Sequence, residues 1–111
     1  MKINKETQEK IQELQLLEQN LQNLLMQKQA FQIELNEVEN ALSEVKKTKD
    51  EVYKITGQVM LKANKEETEK ELKEKQDILS LRVKSIEKQE NSFREKLEKL
   101  RDEVTKEIQK E

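Results

Sequence analysis

In 111 residues the chain carries 41% charged, 32% hydrophobic and only 3% aromatic side chains, with no Trp and two Phe, too little material for a thick globular core. It has neither Cys nor His, which excludes disulfides, thiol and imidazole chemistry, and zinc sites of the usual ligand types. Lys and Arg (22) nearly balance Asp and Glu (24), so the net charge of −2 gives no general attraction to nucleic acid or to an anionic membrane.

High charge of both signs with no Pro and one Gly is the composition of long helices or a coiled coil. The first residues, Met-Lys-Ile-Asn-Lys-Glu, run into polar sequence rather than an apolar h-region, so they do not read as a secretory signal. No run of ~18 apolar residues is present that could span a bilayer. A soluble, cytoplasmic protein is the expectation.

From Thr7 onward, steps of three and four residues pick out Thr7, Lys10, Leu14, Leu17, Leu21, Leu24, Lys28, Phe31, Leu35, Val38, Leu42 and Val45, an a/d heptad seam. The spacing predicts a helix over 5–49, roughly 65 Å long at about 1.5 Å per residue. Lys46, Lys47 and Lys49 gather at its carbonyl end, where cations suit the macrodipole. Ile11, Leu16, Leu25, Met26 and Ile33 fall off the seam and widen the apolar surface beyond what a strict two-stranded contact covers.

The middle of the chain, Val52 to Lys62, reads as a β-hairpin within 51–62. Val52, Tyr53 and Ile55 suit one strand and Val59, Met60 and Leu61 the other, with Gly57 able to take φ > 0 in the turn. The plain alternative is an extended connector. A lone hairpin is marginal in water because its edges are open and its apolar face lacks a second layer, and strands from other chains are a common remedy.

A second helix is predicted over 65–109. Asn64 stands three residues before Glu67, a capping-box pattern, and Glu66, Glu67, Glu69 and Glu71 enrich the first turns. Leu72, Leu79, Ile86, Phe93 and Leu100 recur every seven residues, with companions Gln76, Val83, Glu90, Leu97 and Val104. Glu66 with Lys70, Glu69 with Lys73, Glu71 with Lys75 and Glu95 with Lys99 are spaced for ion pairs four apart.

Arms of similar length on a short connection should fold back antiparallel. Partners summing to 114 set Leu14, Leu21, Leu35 and Leu42 against Leu100, Phe93, Leu79 and Leu72, and Leu17 and Phe31 against Leu97 and Val83, with the midpoint at Gly57. The fold class is therefore mainly α, a long antiparallel two-helix coiled coil joined by a central β-hairpin. Lys28 and Glu90 interrupt the seam one layer apart and are candidates for fixing its register; otherwise they are two side chains snorkelling to water.

Nothing here points to an enzyme. One Gly cannot build a phosphate loop, and the carboxylates lie on solvated helix faces. Pairs such as Glu66-Glu67 serve a helix start, and Tyr53 reads as a strand residue. No catalytic, cofactor-binding or metal-binding residue is assigned.

The stretch Val52-Tyr53-Lys54-Ile55-Thr56-Gly57-Gln58-Val59-Met60-Leu61-Lys62, then Lys65-Glu66-Glu67, Glu71-Leu72-Lys73-Glu74-Lys75 and Leu81-Arg82-Val83-Lys84-Ser85-Ile86-Glu87-Lys88-Gln89-Glu90, closely resembles the prefoldin family, most of all its archaeal β type. The resemblance implies a single prefoldin-like domain over 1–111 and an ATP-independent chaperone subunit without cofactors. It also implies an α2β4 hexamer with a prefoldin α subunit, in which Val52, Tyr53, Ile55, Val59, Met60 and Leu61 join a β-barrel platform. Non-native polypeptides would be held between the coil tips, kept from aggregating and passed to a group II chaperonin. Fraying of the terminal turns would offer Ile3, Ile11, Leu14, Leu17, Val104 and Ile108 to such clients, although the same residues could instead pack the seam to its end. The competing reading is an antiparallel coiled-coil tether that docks on one folded partner.

Overall fold

Both helices start immediately after an asparagine. Asn4 Oδ1 accepts a hydrogen bond from the Thr7 amide at 2.7 Å, and Asn64 Oδ1 accepts one from the Glu67 amide at 3.0 Å. Each carboxamide satisfies an amide that the first helical turn leaves without a backbone partner. The computed structural model describes residues 4–110, in the order α1 (Lys5–Lys47), β1 (Val52–Thr56), β2 (Val59–Ala63) and α2 (Lys65–Lys110). Helix α1 stops two residues short of the predicted 49. Its last carbonyls are met by a cation from the far side of the hairpin, since Lys65 Nζ donates to Lys46 O at 3.4 Å and to Thr48 O at 2.9 Å.

The strands pair antiparallel from Val52 with Ala63 to Thr56 with Val59. Partners sum to 115, so the centre of the hairpin lies between Gly57 and Gln58 rather than on Gly57. Gly57 has φ +62°, and no other described residue has positive φ, which makes the two-residue loop a type II′ turn. That turn matches the twist of the flanking strands, and glycine enters its first position without a Cβ penalty.

The described residues form two compact units, one of residues 4–29 with 84–110 and one of residues 30–83. In the hairpin unit, Leu35, Val38, Leu79 and Val83 form a buried cluster, and Phe31 and Leu72 pack against it. Arg82 lies over the Phe31 ring at 5.5 Å, and Lys75 reaches Glu34 at 3.4 Å, so the α1 and α2 segments run antiparallel. In the terminal unit, Leu21, Leu24, Ile86, Leu97, Leu100 and Val104 are buried. There Lys10 meets Glu107, Glu18 meets Arg101 and Lys28 meets Glu90, again an antiparallel sequence of contacts. Every seam position named for either helix is buried or half-buried.

Candidate functional site: hairpin surface and terminal groove

Strand alternation places Tyr53, Ile55, Met60 and Lys62 on one face of the hairpin and Val52, Lys54, Thr56, Val59, Leu61 and Ala63 on the other. Apolar side chains therefore stand on both faces. Ile55 and Met60, which are cross-strand partners, are 69% and 64% exposed, while Tyr53, Val59 and Leu61 are each more than half exposed. Val52 alone of the six predicted interface residues is half-buried, in a groove it shares with Tyr53, Val45 and Leu72. The sheet has two strands, so among the described residues each strand keeps one edge without a neighbour.

Polar contacts brace the Tyr53 face. The Tyr53 hydroxyl donates to Glu51 Oε2 at 2.6 Å, and Lys62 Nζ stands 3.0 Å from Glu51 Oε1. The phenol's hydrogen bond, seconded by the ammonium, holds the Glu51 carboxyl below its ordinary range. The same bond favours the neutral phenol and raises Tyr53. Lys54 pairs with Glu71 at 3.6 Å, linking β1 to the start of α2.

In the terminal unit a groove is lined by Leu17 and Leu100 together with Lys10, Glu13, Lys99 and Glu103. Of the residues expected to meet an unfolded chain, Ile11, Leu14, Leu17 and Ile108 are half-buried. Val104 is buried, so it meets another chain only where the helices part. Ile3 lies outside the described residues.

Two ionic clusters cross between the helices of this unit. Lys28 Nζ stands 3.1 Å from Glu90 Oε1 and 3.9 Å from Glu87 Oε1, while Arg94 Nε donates to Glu90 Oε2 at 2.9 Å. The hydrogen bond from Arg94, then that from Lys28, pulls the Glu90 carboxyl below its usual value. In the second cluster Thr7 Oγ1 donates to Glu107 Oε2 at 2.6 Å and Lys10 Nζ bonds Glu107 Oε1, with Glu103 Oε2 3.7 Å from the same ammonium. Glu107 is lowered by Lys10 first and Thr7 second, and Lys10 is correspondingly raised.

Sequence reasoning named Lys28 and Glu90 but missed Arg94, although its position four residues after Glu90 was a usable signal. It also missed Glu107, which continues the seven-residue recurrence of Ile86, Phe93 and Leu100 by one more step. Two of the predicted helix pairs are replaced: Lys73 turns to Asp77 at 3.3 Å, and Lys75 turns to Glu34 on α1. Among the described residues there is no cluster of three acidic, His or Cys side chains suited to a metal ion, and no helix long and apolar enough to cross a membrane.

A family model described as a prefoldin subunit matches residues 8–111. The chain is 37% identical over 109 residues to the prefoldin subunit beta of Methanospirillum hungatei, covering 96% of this chain and 91% of that one. It is 39% identical over 90 residues to that of Pyrobaculum islandicum, covering 79% and 72%, and 38% identical over 90 residues to that of Pyrococcus furiosus, covering 79% and 77%. The crystal structure of the prefoldin beta subunit from Thermococcus strain KS-1 superposes with a TM-score of 0.88 at 34% identity, over 95% of this chain and 94% of that one.

Proposed function

Because the chain belongs to the prefoldin family of chaperone subunits, we propose that it acts as a β subunit in an α2β4 hexamer and holds non-native polypeptides without ATP or chemical turnover. Residues 1–111 act as one prefoldin-like domain in this reading. The observation that carries it is the hairpin, apolar and exposed on both faces and open along its edges. Such a surface is stabilised by neighbouring hairpins, whose strands satisfy the edges and whose side chains cover both faces. Val52, Tyr53, Ile55, Val59, Met60 and Leu61 thus belong to the assembly platform.

Client holding falls to the coil ends. Individual apolar contacts there are weak, so retention depends on several coils engaging one client, which is the avidity of an oligomer. Captured chains are kept from aggregating and then released to a group II chaperonin in the cytoplasm. Nucleic acid and membrane play no part.

The test is solution mass by light scattering, for the chain alone and mixed with an archaeal prefoldin α subunit, followed by aggregation assays with several unrelated denatured proteins. A two-α, four-β species that slows aggregation of all of them is the expected result. The double variant Ile55→Lys/Met60→Glu should lose assembly while its helical content persists. A mass unchanged by α, together with binding to one folded partner only, would establish the tether instead.

A further inference from the structure

Thr7 is the one fully buried side chain among the described residues, and it is polar. It occupies the first seam position of α1, Lys10 occupies the second, and both bond the same carboxylate, Glu107 of α2. Glu107 lies seven residues after Leu100, so it too is a seam position, and Thr7 with Glu107 satisfies the sum of 114 that relates the apolar layers. The seam therefore changes character here. Where Leu21, Leu24, Leu97 and Leu100 exclude water, the layer of Thr7 and Glu107 is held by a hydroxyl and by the ammonium of Lys10, which reaches across from the layer of Val104 to share the same carboxylate.

An apolar layer and this layer respond to opening differently. Parting two leucines exposes surface that water disfavours. Parting Thr7 and Lys10 from Glu107 returns three polar groups to water, which solvates them well, so the closure is easily undone and weakened by salt. The surrounding charges keep the pair ionised: Glu107, Glu103 and Glu6 favour the charged form of Lys10, and Lys10 and Lys110 favour the charged form of Glu107.

We infer that Thr7, Lys10 and Glu107 form a polar clasp that closes the coil end reversibly and governs how far Leu14, Leu17 and Val104 are offered to an unfolded segment. The second half of this statement rests on the holdase reading; the first does not. The groove of Leu17 and Leu100 lies against the clasp, since Lys10 and Glu103 line it too. Opening the clasp enlarges that groove while the layers at Leu21 and Leu24 stay shut.

The test uses the assembled complex with three forms of this chain: wild type, Glu107→Gln, and the triple variant Thr7→Val/Lys10→Leu/Glu107→Leu, which replaces the polar closure with an apolar one. Amide hydrogen exchange is followed in residues 5–17 and 100–110, with residues 31–45 as the internal reference. Capture is read as suppression of client aggregation at low and high salt. The Gln form should exchange roughly three- to tenfold faster at the ends and capture more client, and the triple variant should exchange more slowly, capture less and lose the salt dependence. Equal end exchange in all three forms would overturn the clasp. Shifted exchange with unchanged capture would overturn its control of client access. Shifted exchange in a complex that captures no client at all would overturn the holdase reading and leave the clasp as a closure of the coil end.

Discussion

Lys28 Nζ on α1 and Glu90 Oε1 on α2 stand 3.1 Å apart, with the Glu90 side chain only 14% exposed and its second oxygen held by Arg94. Arg94 lies on the same helix as Glu90 and keeps its bond in any register, but Lys28 reaches the carboxylate only in this one. A shift of one heptad would put Leu21 or Leu35 in the place of Lys28 beside Glu90. In a double-mutant cycle on Lys28→Leu and Glu90→Leu, read by urea unfolding, the coupling energy should be about 0.5–1 kcal/mol. Zero coupling would remove the pair from any role in register.

Acid should loosen the terminal unit. The Glu90 and Glu107 carboxyls are both held below the ordinary glutamate value of 4.5. A group whose folded pKa is depressed contributes stability that is fully present above its unfolded pKa and lost as pH falls through the folded one. The melting temperature should therefore drop as pH is taken below 4.5, and Glu90→Gln/Glu107→Gln should flatten that decline. An unaltered acid limb in the double variant would place the acid sensitivity elsewhere.

At Gly57 the backbone alone sets the cost of substitution. A Cβ there would meet nothing within 4 Å, but φ is +62°. Gly57→Ala should destabilise the hairpin by roughly 1 kcal/mol through left-handed backbone strain, and Gly57→Asn by less. Hydrogen exchange of the strand amides, Val52–Thr56 and Val59–Ala63, measures this directly.

Leu79 and Leu81 separate core from surface within two residues. Leu79 is 2% exposed, inside the Leu35, Val38 and Val83 cluster, whereas Leu81 is 66% exposed. Leu79→Ala should cost about 2–5 kcal/mol in denaturant unfolding, and Leu81→Ala should stay within about 0.5 kcal/mol. Equal effects would contradict the observed phase of α2.

The phase of both helices was legible because burial follows period. Even the polar seam residues Thr7, Lys10, Lys28, Gln76 and Glu90 lie where the heptads put them. Gly57 likewise announced its turn, being the single Gly between two β-branched runs. Ion-pair partners were less readable. Lys73 and Lys75 each have several carboxylates within reach at similar energy, and spacing along one helix cannot register a carboxylate on the other, as Glu34 proves to be for Lys75. The bond from Lys65 to the carbonyls of Lys46 and Thr48 was hidden for a related reason: it joins residues seventeen or more apart whose approach is created by the hairpin itself.

The two apolar faces of that hairpin have a consequence for the cell that makes the protein. A newly synthesised chain displays Ile55, Met60 and Leu61 to water in the same manner as a misfolded one. In the assembly proposed above, that exposure ends only when neighbouring hairpins cover it. On that assembly, supply of such a subunit is tied to supply of its neighbours.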